Sequence, residues 1–155
     1  TGQMLIIILM LIGGSPGSTA GGMKTTTIAV LFSTACSVFR KEEYTHFFNR
    51  RIPEGTDKNA ATIFLMYIVL FVGGGMVISR VENLPILVSL FETASAIGTV
   101  GLTLGITPSL GLVSHLILIC LMFFGRVGGL TLIFATMNSR AKNGAKYPQE
   151  KITVG

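Results

Sequence analysis

The chain has 155 residues, of which 50% are hydrophobic and only 12% charged, with a mean hydropathy of +0.69. An ordinary soluble domain carries about 25% charged residues, so this composition excludes one and predicts an all-α integral membrane protein. The net charge of +5 does not point to nucleic acid, because the basic residues fall in two clusters that flank apolar segments instead of forming one stripe.

Thr1-Gly2-Gln3 offers neither an initiator Met nor a basic n-region, so it reads as neither a natural start nor a signal peptide, and a truncated N-terminus is expected. Met4–Ile12 is apolar throughout but reaches only half of the roughly 20 residues that a bilayer span needs. The run Gly13-Gly14-Ser15-Pro16-Gly17-Ser18-Thr19-Ala20-Gly21-Gly22 then breaks the helix with five glycines and a proline, and Thr25–Phe39 resumes mostly apolar, helix-compatible sequence. Non-helical backbone at membrane depth is tolerated only where it is buried in protein or lines a watery cavity, which places the break beside a conduction path; a static, packed kink is the plainer alternative. A Gly-rich stretch before Lys24-Thr25 also invites comparison with a phosphate-binding P-loop. The comparison fails, because Met23 shifts the lysine by one residue out of GxxxxGK[ST] and apolar sequence flanks both sides.

Residues 40–58 form a polar linker with Arg40, Lys41, Arg50, Arg51 and Lys58 set among Glu42, Glu43, Glu54 and Asp57, and read as a solvated loop. Asn59–Ser79 is long enough to span a membrane, and its Gly73-Gly74-Gly75 run suits close helix contact. From Pro85 to Ile97 comes a half-membrane helix of roughly 20 Å with Pro at its start. Glycines at 98, 101, 105 and 111 with Pro108 then return the chain as extended backbone. A last apolar run, Leu112–Met137, spans again and is interrupted by Gly125-Arg126-Val127-Gly128-Gly129. The linker holds five Lys/Arg and the tail 138–155 holds Arg140, Lys142, Lys146 and Lys151, whereas 80–111 has only Arg80. By the positive-inside rule both ends of this helix pair are cytoplasmic.

A dehydrated cation needs several oxygens without a fixed charge that would trap it, and rings of backbone carbonyls supply them. Within Ser95–Thr103, Gly98 and Gly101 permit the dihedrals that aim successive carbonyls one way, and Thr99 adds a hydroxyl. Gly98, Thr99, Val100, Gly101 and Leu102 are therefore the candidate selectivity filter, with K⁺ as the ion; Thr-Val-Gly opens the K⁺-channel filter sequence, although Leu102-Thr103 replaces the usual Tyr-Gly. Arg126 lies mid-span, where an arginine costs roughly 2.5–3.5 kcal/mol to insert, so it must face the interior and either bond loop carbonyls or hold back cations. Lys24 is a weaker gate candidate that would otherwise snorkel to the cytoplasmic side. Glu92 reads mainly as a structural hydrogen-bond acceptor, with direct ion binding as the alternative. His46, His115, Cys36 and Cys120 have no metal-ligand spacing and read as structural. No nucleophile–base constellation appears, which argues against an enzyme.

The segments GGSPGSTAGGMKTTT, FETASAIGTVGLT, FFGRVGGLT and AKYPQEKITVG resemble, in order and spacing, the C-terminal part of the Trk/Ktr/HKT superfamily of K⁺ transporters, most closely its KtrB-type membrane subunits. The resemblance implies four covalently joined helix–pore-helix–helix repeats of K⁺-channel type around one pore. Residues 1–39 would then be the broken last helix of the third repeat, 40–58 a cytoplasmic linker, 59–137 the fourth repeat and 138–155 a cytoplasmic tail. It further implies that Gly13–Gly22, with Lys24 and Arg126, is the gate, and that the protein is a multi-pass homodimer in a bacterial plasma membrane. K⁺ would be the transported ion and Na⁺ a candidate coupling ion. Nucleotide would be bound by a cytosolic KtrA-like partner ring and not by this chain, with membrane lipid as the other neighbour. A simple two-helix tetrameric cation channel and a non-conducting membrane scaffold are the rival classes.

Overall fold

The computed structural model describes residues 2–41, 46–47, 50–53 and 55–127, and in them five α-helices run in the order α1 (Gly2–Leu11), α2 (Thr25–Phe39), α3 (Thr56–Glu82), α4 (Ile86–Gly98) and α5 (Leu112–Val127). The remainder of the last span to Met137, Gly128-Gly129, the tail 138–155, and Glu42, Glu43 and Glu54 of the linker lie outside the described residues.

α3 is 27 residues long, with a mean hydropathy of 2.3 over its most apolar window of 18 residues, and at 1.5 Å per residue it extends about 40 Å. Among the described residues it is the one helix both long and apolar enough to cross a bilayer. It starts at Thr56, not Asn59. Gly55 turns the chain with φ +89°, and Asp57 places a carboxylate at the positive end of the helix dipole, so polar residues form the first turn ahead of the apolar run. The linker also differs from a plain loop: a strand β1 (His46–Phe47) pairs antiparallel with β2 (Arg50–Arg51), with His46 opposite Arg51 and Phe47 opposite Arg50. A short antiparallel strand pair therefore accompanies the helices among the described residues.

α3 gives way to α4 at Asn83, whose left-handed conformation (φ 53°) ends the helix; Leu84 N–H bonds back to the Ser79 carbonyl at 3.2 Å, and Ser79 Oγ donates to the Leu84 carbonyl at 2.7 Å. Pro85 then fixes the start of α4. α4 has 13 residues, about 20 Å, and packs against α1, α3 and α5, with every residue from Phe91 to Gly98 buried. A short 3₁₀ turn (Thr107–Ser109) precedes α5. There Glu82 Oε1 accepts Gly111 N–H at 2.8 Å and Ser114 Oγ at 2.6 Å, so the end of α3 satisfies donors at the start of α5.

Lipid is as apolar as leucine, so helix association in a membrane relies on close packing and polar contacts more than on the hydrophobic effect. The glycines of α3 act accordingly. A Cβ on Gly75 would lie 2.6 Å from Leu90 Cδ2, and one on Gly74 3.0 Å from Leu121 Cδ1, whereas Gly73 faces open space. Met23, Ile63, Tyr67, Ile97 and Leu121 belong to one buried cluster, and Ile7, Met10, Phe71, Phe91 and Ala94 form a second. Leu5, Leu9, Phe32, Phe39, Leu112 and Phe123 point outward from these two clusters.

Candidate ion-conduction site

α4 ends where the expected filter strand begins. Thr99 N–H bonds to the Ala96 carbonyl at 3.1 Å and Val100 N–H to the Ser95 carbonyl at 3.0 Å, a Schellman closure in which glycine normally holds the left-handed position. Here Thr99 holds it, at φ 51°. Left-handed backbone costs an L-residue roughly 1–2 kcal/mol, and for a β-branched one it is an outlier. Gly101 follows at φ +84° and Gly105 at φ +88°; a Cβ at Gly101 would meet nothing within 4 Å, so glycine is required there by backbone conformation and not by crowding. Val100 and Leu102 are exposed.

Glu92 fixes what comes after the strand. It is 4% exposed, and Oε1 accepts Thr103 Oγ1 at 2.6 Å and Leu104 N–H at 3.0 Å, while Oε2 accepts Thr107 Oγ1 at 2.9 Å. A buried carboxylate is tolerable only when paired in this way. The contacts assign Glu92 the structural side of its two readings.

The glycine loop crosses to the start of the same strand. Gly21 N–H donates to Thr99 Oγ1 at 2.9 Å, Gly22 N–H to the Gly125 carbonyl at 3.1 Å, and Tyr67 Oη to the Gly22 carbonyl at 3.2 Å. Gly13 N–H donates to the Met23 carbonyl at 2.7 Å, next to a parallel bridge between Ile12 and Met23, so the two ends of the loop meet. Residues 21–23 are buried and 15–20 exposed. Glycines make this approach possible: a Cβ on Gly98 would stand 2.5 Å from the Met10 carbonyl oxygen, and one on Gly125 would collide with the Ile97 carbonyl.

The cationic candidates both reach the loop. Arg126 Nη1 donates to the Thr19 carbonyl, and Lys24 Nζ to the carbonyls of Ser18 at 3.2 Å and Ala20 at 2.8 Å. The lysine thus lies on the loop instead of extending away from it. Arg126 is exposed on the described residues, with its guanidinium on the loop carbonyl. Ser18 Oγ accepts Ala20 N–H at 3.2 Å and Ser18 N–H donates to the Ser15 carbonyl at 3.0 Å, while Ser15, Pro16 and Gly17 lie in the exposed tip and Gly14 accepts from Thr25 N–H at 3.3 Å. His115 sits 3.0 Å from the Gly111 carbonyl through Nδ1. Among the described residues no three His, Cys, Asp or Glu side chains come together.

Sequence reasoning passed over Tyr67, Glu82, Ser114 and Thr107. Tyr67 did leave a signal, a lone phenol inside an apolar span where tyrosine ordinarily sits at the interface. Glu82 and Ser114 are separated by 32 positions, and no local pattern pairs them.

A family model described as TrkH, cation transport protein, matches residues 1–144. The potassium/sodium uptake protein NtpJ of Enterococcus hirae is 41% identical over 99% of this chain and 36% of its own length. The Ktr system potassium uptake proteins B and D of Bacillus subtilis are 34% and 33% identical, over 96% and 97% of this chain and 33% of their own lengths. The chain therefore spans about a third of the length of these curated relatives.

Proposed function

The chain belongs to the TrkH family of cation transport proteins, whose members move ions and are not enzymes, and from that footing we propose that the full-length protein takes up K⁺ across a bacterial plasma membrane. Carbonyls of Gly98–Leu102 form one strand of the selectivity filter. Gly13–Gly22, with Lys24 and Arg126, is the gate that must leave the start of that strand before ions pass. The observation that carries this reading is the hydrogen bond from Gly21 N–H to Thr99 Oγ1, which ties the loop to the second residue of the strand.

One strand cannot encircle an ion, so the other three come from the rest of the protein, in four joined repeats of which residues 59–137 are the last and residues 1–39 the end of the third. The exposed edge made by Val100 and Leu102 supports that arrangement, because it leaves the strand open to neighbours. Names of relatives that include potassium and sodium support K⁺ as cargo and Na⁺ as a coupling or competing ion. The protein works as a homodimer, and a cytosolic nucleotide-binding ring of KtrA type docks on the face made by the basic linker and tail.

Radioactive rubidium uptake by proteoliposomes holding the full-length protein tests the proposal. Uptake that K⁺ competes away is the expected result, and a membrane no leakier than protein-free liposomes under every activating condition overturns it.

A further inference from the structure

Tyr67 is 2% exposed and lies in the twelfth position of α3, deep in a helix whose other mid-length side chains are almost wholly apolar. A phenol at that depth has few partners, and an unpaired hydroxyl there would be costly. Its partner is the Gly22 carbonyl, at 3.2 Å. Gly22 is thus held on both sides, its carbonyl by α3 and its N–H by the Gly125 carbonyl of α5. The neighbouring Gly21 is the residue that bonds Thr99. Gly22 also has φ +76°, and a Cβ there would come within 3.3 Å of Gly98 Cα, so the loop reaches this position only as bare backbone.

The exposed tip, by contrast, is held by the long side chains of Arg126 and Lys24, which can follow a moving loop. Tyr67 cannot follow it, since a buried ring in a packed cluster has no free rotamer to extend into. We propose that Tyr67 is a positioning residue for the gate: its hydroxyl holds the Gly22 carbonyl, and through Gly21 it keeps the loop seated on Thr99. It touches no ion. The inference rests on the assignment of Gly13–Gly22 as the gate, and goes beyond it by naming a fixed anchor in a different helix.

The test is rubidium flux through the full-length protein in proteoliposomes without activating partner, comparing wild type, Tyr67→Phe, a loop-shortened form, and the two changes combined. Phe keeps the ring and its packing and removes only the donor. Tyr67→Phe is expected to raise resting flux about five-fold, the equivalent of roughly 1 kcal/mol for one neutral hydrogen bond. The K⁺/Na⁺ ratio should stay the same, and no further rise should appear in the loop-shortened form. Hydrogen exchange should quicken in residues 13–23 and stay unchanged in α4. Unchanged resting flux, or an equal rise in both backgrounds, overturns the role of Tyr67 while wild-type flux keeps the transport proposal intact. Absence of flux from every form, the loop-shortened ones included and the activating partner added, overturns the transport proposal, and this inference with it.

Discussion

Thr99 Oγ1 receives the Gly21 N–H at 2.9 Å, so the residue that ends α4 and the loop that separates α1 from α2 share a hydrogen bond across 78 positions of chain. Thr99 does this from a left-handed conformation that threonine rarely adopts. Strained residues of this kind concentrate at working sites, where the surrounding structure holds them.

Replacing Thr99 with Val keeps the β-branched shape and removes the acceptor. Gly21 N–H, which is partly buried, then loses its partner, a loss of about 1–2 kcal/mol. Hydrogen exchange of residues 13–22 in the full-length protein should accelerate about tenfold in Thr99→Val. Thr99→Ser, which restores the hydroxyl, should exchange as wild type does. Equal exchange in all three would show that this bond does not hold the proposed gate loop.

Arg126→Ala should increase resting K⁺ flux by tenfold or more, because a charged donor contributes about 1.5–3 kcal/mol to a hydrogen bond and the Thr19 carbonyl would be released. Arg126→Lys keeps the charge without the planar fork and should fall between the two. Flux measured at zero regulatory nucleotide separates these forms.

Glu92→Ala removes the carboxylate that accepts from the hydroxyls of Thr103 and Thr107 and from Leu104 N–H; one hydroxyl can still donate to the other across 2.8 Å, which leaves the second hydroxyl and the Leu104 N–H without their acceptor. The expected consequence is a loss of roughly 2–4 kcal/mol in stability together with weaker discrimination of K⁺ from Na⁺, since the stretch after the proposed filter strand is no longer held. Glu92→Gln retains one acceptor oxygen and should lose about half as much. Thermal unfolding in detergent and a competition assay with Na⁺ measure the two effects separately.

Two glycines offer a paired control. Gly125→Ala drives a methyl group into the Ile97 carbonyl, a backbone atom that cannot swing aside, and should prevent α5 from packing on α4. Gly73→Ala meets nothing within 4 Å and should be tolerated, or even stabilise α3 by up to about 1 kcal/mol. Yield of folded protein after size-exclusion chromatography distinguishes them.

Much of this was legible in the chain because the signals were local. A half-length apolar helix beginning at Pro85, glycines that break it, and the Gly-rich run 13–22 can each be read within a dozen residues. Thr99 as the left-handed residue was not legible, since glycine at 98 or 101 was the stronger candidate by conformational freedom. The start of α3 at Thr56 was missed because polar capping residues, not apolar periodicity, set it. Partnerships such as Tyr67 with Gly22, or Glu82 with Ser114, arise only once helices distant in sequence pack, and no spacing rule finds them.

Conduction of K⁺ along the strand through Gly101 is read from K⁺ uptake by the full-length protein in cells lacking their own K⁺ uptake systems, with and without Gly101→Asp. Gly101 sits at φ +84° with open space around it, so aspartate there both strains the backbone and adds a fixed charge beside the proposed path. Wild type should restore growth at low K⁺, and Gly101→Asp, present in the membrane at the same level, should not. Undiminished uptake by the Gly101→Asp protein would contradict the assignment.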